Sequence, residues 1–370
     1  MKVHQISFEE LAAQKIPTPY DAFIDAAKNV EIQSSFIKHY SKIHNGEFSN
    51  IIVSISGGAD SDRVIDLVER IGYQKSTSVR YVFFDTGMEY KATKDHLDEL
   101  EQKYGVKIER FHAMTPVAVA VKKYGYPFVS KQVSENIYRL QKHGFKFEDR
   151  PFEELLKEYP RCKSALRWWC NLCGEKSQRN ICRNKWLKEF LVAYPPQIKI
   201  SKKCCIEAKE KTAQQITKKS SADLSIVGLR KAEGGSRFTI KSCFSEVSFG
   251  CSTLRILFWF KKADCEAYDD IFDIHHSCCY SKYGLDRTGC ACCPFGKYFE
   301  RELEAAKKYE PALYRLAMMV FAPSYEYTRK YREFATMKNG EERRRKNEAK
   351  RNDHDAGQGS VLPYPAVNRR

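Results

Sequence analysis

Apolar and polar residues follow one another along this chain in a pattern that predicts strands and helices in alternation. Residues 51–55 are apolar and largely β-branched, which is typical of a buried strand, and helical spacing of apolar positions follows at 64–71. A second strand is predicted at 79–84, a helix at 91–104 and a third strand at 107–111. This order predicts a parallel sheet wrapped by helices.

The pattern beyond these elements is less uniform. Residues 224–227 and 254–260 are predicted as two further core strands, whereas residues 115–200 are irregular and rich in Lys, Tyr and Trp. We therefore predict an α/β fold with an open, Rossmann-like parallel sheet. Its predicted parts are a helical N-terminal extension (1–48), a sheet domain (49–298) with an inserted region (115–200) and a group of cysteines, C-terminal helices (299–337) and a basic flexible tail (338–370).

Composition and charge narrow the class of protein. Of the 370 residues, 42% are hydrophobic and 30% are charged, as in ordinary globular proteins. The sequence has no run of about 18 apolar residues and no apolar stretch at its start, so we expect a cytoplasmic protein without a membrane partner. The net charge of +16 suggests a polyanionic partner. Fourteen cysteines in such a chain indicate metal ligands, catalytic thiols or small buried residues rather than disulfides.

A glycine-containing string, Ser56-Gly57-Gly58-Ala59-Asp60-Ser61, lies between the first strand and the first helix. Its glycines let backbone N–H groups approach phosphate oxygens, and the helix start adds partial positive charge. The two serines can donate hydrogen bonds, and Asp60 is a candidate for positioning the loop or Mg²⁺. The Gly-Lys-Ser/Thr of a Walker loop is absent. The alternative interpretation is an ordinary glycine turn.

This string resembles the Ser-Gly-Gly-x-Asp-Ser pyrophosphatase loop (PP-loop) of the adenine nucleotide α-hydrolase superfamily. Those enzymes split ATP between its α and β phosphates or bind adenylylated sulfate. Residues 84–90, Phe-Asp-Thr-Gly-Met-Glu-Tyr, resemble the Asp-Thr-Gly-x-Glu segment of the phosphoadenosine phosphosulfate (PAPS) reductase branch. The resemblance implies the fold of that superfamily and a nucleotide site that includes Asp85 and Thr86. For Asp85, a cap of a helix or turn is the alternative.

An arginine segment, residues 228–237, follows the predicted strand at 224–227. Two arginines at the edge of a nucleotide site can hold phosphate or sulfate in a bidentate manner. The segment resembles the Gly-x-Arg-x-x-Glu-Ser-x-x-Arg stretch of the same branch, with Gly234 where the family has Ser. It implies that Gly228, Arg230 and Arg237 contact the nucleotide and that the arginines neutralise developing charge. A solvated basic loop is the alternative.

Four cysteines form two pairs, Cys204 with Cys205 and Cys290 with Cys293. Thiolates are the ligands of zinc and of iron–sulfur clusters. An adjacent pair followed by a Cys-x-x-Cys resembles the assimilatory adenylylsulfate (APS) reductases, which implies a [4Fe–4S] cluster on these four residues. Zinc and simple packing of thiols are the alternatives.

A second pair, Cys170 and Cys173, follows Arg167-Trp168-Trp169. This stretch resembles PAPS-reductase-like proteins that modify nucleic acid. Cys170 is thus a candidate for a cluster ligand that replaces one of the four, or for a sulfur-carrying thiol, and a structural thiol is the alternative.

These resemblances imply an enzyme. ATP or adenylylated sulfate would bind at residues 56–61, pyrophosphate would leave, and the adenylate would activate an acceptor such as a nucleic acid, for which the basic charge and Trp168/Trp169 are suited. Sulfur would enter through the cluster or a cysteine persulfide, from a cysteine desulfurase or a thioredoxin-type donor.

Two other functions stay open. One is sulfonucleotide reduction to sulfite, which in the family uses a cysteine in a C-terminal Glu-Cys-Gly-x-His, whereas the last cysteine here is Cys293. The other is a non-catalytic, nucleotide-sensing regulator that binds DNA.

Overall fold

The computed structural model describes Ile32 and residues 47–71, 78–174, 177–248 and 250–358. Nearly all of the predicted N-terminal extension, and the last part of the predicted tail, therefore lie outside the described residues. The chain divides into two compact units. The first comprises the described residues up to Tyr124 together with Lys203–Phe321, and the second comprises Gly125–Lys202 with the described residues from Ala322 onward.

A six-stranded sheet forms the centre of the first unit. Its strands are β1 Asn50–Ser54, β2 Ser78–Asp85, β3 Ile108–His112, β4 Leu224–Val227, β5 Phe244–Ser248 and β6 Cys251–Arg255. They lie in the order β3-β2-β1-β4-β6-β5, and every neighbouring pair is parallel except β5 with β6. The predicted α/β fold with a mostly parallel sheet is confirmed.

The helices follow the strands in the alternation that the sequence predicts. Along the chain they are α1 Ala59–Ile71, α2 Lys91–Tyr104, α3 Val117–Tyr124, α4 Lys131–Lys142, α5 Phe152–Glu158, α6 Lys163–Trp169, α7 Leu187–Ala193, α8 Lys203–Cys205, α9 Lys211–Lys219, α10 Lys262–Phe272, α11 Cys278–Ser281, α12 Phe299–Tyr309 and α13 Pro311–Gln358. A π-helix, Ile206–Glu210, joins α8 to α9. Short 3-10 helices occupy Pro160–Cys162, Ile181–Arg183, Lys231–Glu233 and Gly235–Thr239.

Burial on both faces explains why β1 is almost wholly apolar. Successive side chains of a strand point to opposite faces. Ile51 and Val53 pack into the larger core of the first unit, which also contains Val64 of α1, whereas Ile52 packs into a smaller cluster with Val82. Parallel strands covered on both faces carry continuous apolar runs for this reason.

The second unit has its own core, built from aromatic side chains. Trp168 and Trp169 at the end of α6 are fully buried, and Phe128 and Phe190 pack in the same cluster. Trp169 donates its indole N–H to the carbonyl oxygen of Glu148 at 3.0 Å. The two tryptophans are therefore core residues of this unit, and their rings do not offer an exposed surface for stacking on bases.

Two predicted elements differ from the structure. Strand β6 is Cys251–Arg255, and residues 256–260 form turns rather than the predicted strand. Phe258 and Phe260 are buried from these turns, which is why the segment is apolar without being a strand. The predicted tail is helical as far as Gln358, because α13 continues through it. Glu342 on that helix pairs with Lys346 at 2.9 Å, four residues ahead, an interaction that supports exposed helices.

None of the described helices combines the length and the apolarity that a membrane-spanning helix requires.

Candidate functional site

The carboxyl edge of the central strands gathers three of the predicted segments. The phosphate loop, residues 56–61, follows β1, Asp85 and Thr86 stand at the end of β2, and Gly228 follows β4. Strands β2 and β4 flank β1 on opposite sides, so this edge is a topological switch point of the sheet. Open α/β sheets bind ligands at such points.

The phosphate loop is compact and held by its own hydroxyl groups. The backbone N–H of Ser56 donates to Ser61 Oγ at 2.8 Å, and the Oγ atoms of the two serines lie 2.7 Å apart. Gly57 has a φ of 67°, and a Cβ there would lie 2.6 Å from Thr93 Cγ2. The first glycine of the loop is therefore required both by its backbone conformation and by the close approach of α2.

Asp60 is held between two arginines. Arg230 Nε lies 2.9 Å from each of the carboxylate oxygens of Asp60, and Arg63 Nη1 lies 2.9 Å from Oδ1. Burial lowers the pKa of Arg230, but its hydrogen bond with Asp60 and the nearby negative charges together outweigh that effect and raise the pKa. Gly228 packs against the start of α1, since a Cβ there would lie 3.1 Å from the carbonyl oxygen of Asp60.

A network of charged side chains continues behind Arg63. Its guanidinium forms hydrogen bonds with Asp269, with Nε 2.7 Å from Oδ1. His276 bridges Asp269 and the fully buried Asp62, with Nε2 at 3.0 Å and Nδ1 at 2.7 Å from the respective carboxylates. Burial lowers the pKa of His276, but these two hydrogen bonds outweigh it and raise the pKa to about 9.

Sequence reasoning missed this network. Arg63 could have been found, because it lies three residues after Asp60 and therefore on the same face of α1. Asp269 and His276 are more than 200 residues away in the sequence, and no local pattern identifies them.

Arg237 has a different environment from Arg230. Its Nε lies 3.1 Å from Glu233 Oε2 in an ion pair within the arginine segment, and its side chain is partly exposed. Of the two arginines predicted to contact nucleotide, the structure thus joins Arg230 to the phosphate loop and pairs Arg237 with a neighbour in its own segment.

Asp85 accepts hydrogen bonds at the end of β2. Its Oδ1 accepts from the backbone N–H of Gly87 at 2.8 Å, the contact expected of a turn cap, and Lys94 Nζ lies 2.7 Å from Oδ2. Burial raises the pKa of Asp85, but hydrogen bonds with Glu89, Lys94 and Gly87 outweigh it and lower the pKa.

Thr86 connects β2 with the second cysteine pair. Its Oγ1 donates to Glu89 Oε1 at 2.6 Å and lies 3.5 Å from Cys290 Sγ. Burial raises the pKa of Glu89, and its hydrogen bond with Asp85 raises it further. The cysteine pair that begins at Cys290 therefore reaches the same edge of the sheet as the phosphate loop.

The two predicted cysteine pairs are neighbours in space. The pKa of Cys204 is raised, first by a hydrogen bond with the Cys205 thiol and by burial, and then by the nearby thiols of Cys293 and Cys290. Burial and the thiols of Cys290 and Cys205 raise the pKa of Cys293. We call these four residues the cysteine cluster.

Lys209, in the π-helix after Cys205, points to this cluster. Its ammonium group forms a hydrogen bond with Cys290, and Cys205 and Glu89 are close enough to act on its charge. The electrostatic interaction with Cys290 raises the pKa of Lys209, although burial lowers it. Short π-helical insertions often occur at functional sites, but neither this helix nor the role of Lys209 was visible in the sequence.

The donor set of the cysteine cluster fits an iron–sulfur cluster. Four thiols with a cation among them match the ligands and the negative charge of a [4Fe–4S] centre. Among the residues that the structure describes, no group of three or more His, Cys, Asp or Glu side chains forms a ready-made site for a single metal ion. Thiolates are ligands of zinc as well, so the donor set is compatible with either metal group.

Cys170 and Cys173 belong to the second unit, whereas the cysteine cluster belongs to the first. Both residues are partly buried against the aromatic core of their unit. Burial raises the pKa of Cys170, and the backbone N–H of Cys173 donates to Asn180 Oδ1 at 2.9 Å.

Comparison with known protein families identifies the part of the chain that contains the phosphate loop. Residues 50–146 match the family model of the phosphoadenosine phosphosulfate reductase domain. This stretch of the chain is similar to that domain. The match includes the phosphate loop, Asp85 and Thr86, while the arginine segment and the cysteine cluster lie beyond it.

Individual relatives are distant. An uncharacterized protein of Methanocaldococcus jannaschii, MJ0066, is 28% identical over 163 residues, which are 43% of this chain and 31% of the relative. The chain thus spans about a third of the length of that curated relative.

Three solved structures resemble this chain at low sequence identity. A PAPS reductase from Candida auris in a phosphate complex has 12% identity and a TM-score of 0.37, over 78% of this chain and 98% of that one. An FMN adenylyltransferase from Candida glabrata with ATP has 11% identity and a TM-score of 0.35, over 74% and 68%. The U34-tRNA thiolase NcsA from Methanococcus maripaludis, with its [4Fe–4S] cluster, has 11% identity and a TM-score of 0.30, over 82% and 80%.

Proposed function

We propose that this protein is a nucleotide-dependent sulfurtransferase that activates an acceptor, such as a nucleic acid, with ATP. One observation carries the proposal. Cys290 Sγ lies 3.5 Å from Thr86 Oγ1 at the end of β2, at the same sheet edge where Arg230 binds Asp60 of the phosphate loop. The predicted phosphate loop and the predicted cysteine ligands therefore lie at one edge of the sheet, which supports adenylation followed by sulfur insertion at a single site.

The phosphate loop supplies the nucleotide site. Backbone N–H groups at the start of α1 and the partial positive charge of its N-terminus favour phosphate. Arg230 pairs with Asp60 of the loop, whereas Arg63 is shared between Asp60 and Asp269. The Arg230 guanidinium would stabilise the negative charge that develops as the α–β phosphate bond breaks.

The proposed reaction has two steps, adenylation of the acceptor and insertion of sulfur. An acceptor carbonyl oxygen attacks the α-phosphorus of ATP, the bond to the β-phosphate oxygen breaks, and pyrophosphate leaves. A sulfide-level sulfur then attacks the activated carbon, AMP leaves with the former carbonyl oxygen, and the proton of the sulfur donor passes to solvent. Adenylation makes the oxygen a good leaving group, which is the role of ATP in this scheme.

The cysteine cluster would hold the iron–sulfur centre through Cys204, Cys205, Cys290 and Cys293. Such a centre, when bound, supplies thiophilic iron for sulfur chemistry. Lys209 would balance the negative charge of the thiolates, because its ammonium group lies against Cys290.

The second unit supports a polyanionic acceptor. Residues 125–202 contain sixteen Lys and Arg against eight Asp and Glu. Phosphate backbones bind surfaces with such an excess of positive charge. Cys170 remains a candidate for a sulfur-carrying thiol in this unit. A cysteine desulfurase would leave a persulfide on it, and two electrons from the dithiol of a thioredoxin-type protein would release the outer sulfur at the sulfide level.

The test combines metal analysis with product analysis. Protein purified without oxygen should contain iron and acid-labile sulfide, and Cys205→Ser and Cys290→Ser should each lose both, whereas Cys243→Ser and Cys265→Ser should keep them. With ATP and cellular RNA the protein should release pyrophosphate and AMP. Sulfite from APS or PAPS with thioredoxin, without pyrophosphate, would establish sulfonucleotide reduction instead. Zinc in place of iron would contradict the role of the cysteine cluster.

A further inference from the structure

A tyrosine from a distant part of the chain lies on the phosphate loop. The backbone N–H of Ala59 donates to the Tyr280 hydroxyl oxygen at 3.0 Å. A Cβ on Gly58 would lie 3.2 Å from that oxygen and 2.6 Å from Thr288 Oγ1. The hydroxyl groups of Tyr280 and Thr288 therefore lie directly against the second glycine of the loop.

Several donors meet at the Tyr280 oxygen. Ala59 is the first residue of α1, so its N–H is one of those that the helix cannot satisfy internally. Thr288 forms hydrogen bonds with the same phenol through its backbone and its side chain. In a nucleotide-binding loop, donors of this kind bind phosphate oxygens. The phenol oxygen thus occupies a place suited to a phosphate oxygen.

The segment that carries these two residues, 276–289, is here called the tyrosine strap. At its start, His276 is fixed to Asp62 and Asp269, and its ring lies 5.7 Å from that of Tyr280. At its end, Thr288 is followed by Gly289 and then by Cys290 of the cysteine cluster. The strap thus contacts the phosphate loop at one point and leads into the sulfur ligands at another.

We infer that Tyr280 is a positioning residue that fills the phosphate loop when no nucleotide is bound. The inference rests on the proposed function, because it requires that the loop binds nucleotide phosphate. A phosphate oxygen replaces the phenol oxygen at Ala59 N–H, and Tyr280 moves aside. Its release removes the hydrogen bonds that fix Thr288, so that binding of nucleotide loosens the strap next to Cys290. Nucleotide binding at the loop would in this way change the mobility of the segment that leads into the cysteine cluster.

Tyr280→Phe tests the competition. The variant lacks the oxygen that competes for Ala59 N–H, so ATP should bind about three- to tenfold more tightly, the value of one net hydrogen bond. Adenosine, which has no phosphate, should bind both proteins equally. Tyr283→Phe is the matched control, because its hydroxyl is also bonded within the strap, to Glu310 at 2.9 Å, but not to the loop. Isothermal titration calorimetry measures each affinity.

Thr288 provides a second test of the same link. Thr288→Val removes one partner of the phenol and should tighten ATP binding to a smaller extent, and Thr288→Ser should restore the wild-type affinity. Hydrogen–deuterium exchange of residues 276–289 should rise when ATP binds the wild type. In Tyr280→Phe it should already be high without ATP and change little on binding.

The outcomes separate this inference from the proposed function. Equal ATP affinity in the wild type and Tyr280→Phe, or weaker binding by the variant, would overturn the inference while leaving nucleotide binding intact. If only the variant binds ATP, the inference stands and the wild-type loop is closed by its own tyrosine. If neither protein binds ATP, the proposed function and the inference both fail.

Discussion

At the scale of single residues, two arginines that look equivalent in the sequence have different partners. Arg230 binds both carboxylate oxygens of Asp60 in the phosphate loop, whereas Arg237 pairs with Glu233. We expect Arg230→Ala to weaken ATP binding about tenfold, since a charged hydrogen-bonding group is lost, and to leave adenosine binding unchanged. Arg237→Ala is the internal control and should have a smaller effect. An equal loss for adenosine would show that Arg230 does not act on phosphate.

Gly57 provides a second prediction at this scale. Gly57 and Gly105 have φ values of 67° and 65°, but only Gly57 has neighbours within 4 Å of an added Cβ. Gly105→Ala should cost about 1–2 kcal/mol, from the backbone conformation alone. Gly57→Ala should cost at least about 1 kcal/mol more, because the new methyl group meets Thr93. Urea denaturation measures both, and equal losses would mean that α2 can move away from the loop.

At the scale of elements, His276 joins the start of the tyrosine strap to α1 and α10. It bridges Asp62 and Asp269, which keeps it protonated, and Arg63 lies beside it. Its pKa is raised from 6.5 to about 9 in the folded protein. A raised pKa means that its contribution to stability is complete below about pH 6.5 and is lost as the pH rises through 9.

The prediction concerns the slope of stability with pH. The free energy of unfolding of the wild type should fall by about 2–3 kcal/mol more than that of His276→Gln between about pH 6.5 and 9. The neighbouring His275 is exposed, so His275→Gln should keep the wild-type profile. Urea denaturation at several pH values measures this, and parallel profiles for the wild type and His276→Gln would contradict the bridging role.

At the scale of the whole molecule, the chain is divided into a sheet unit and an aromatic, basic unit. If the second unit binds the acceptor, RNA affinity should fall steeply with salt, whereas adenosine affinity should not. Arg161 and Lys163 are exposed in that unit. Replacing both with Ala should reduce the magnitude of the slope of log RNA affinity against log salt concentration by about 1–2. Replacing the exposed Lys307 and Lys308 of the first unit is the control, and equal effects would argue against a special role for the second unit.

The sequence by itself determined the elements whose cause is local. Apolar residues predicted β1, whose two faces are both buried, and β4, whose Leu224 and Ile226 pack into the core. The string at residues 56–61 predicted a loop between β1 and α1. The same reasoning was wrong for residues 256–260, where apolar side chains reach the core from turns, and for residues 338–358, where a polar, charged helix looks like a tail.

Only the tertiary structure decided which distant residues meet. It brought Cys204 and Cys205 next to Cys290 and Cys293, turned Lys209 toward them through a π-helix, and placed Tyr280 on the phosphate loop. It also buried Trp168 and Trp169. Local patterns reflect the periodicity of a helix or strand and the chemistry of a turn. Contacts across 80 to 220 positions depend instead on how the sheet orders its strands and where the connecting loops return, and no short stretch of sequence contains that information.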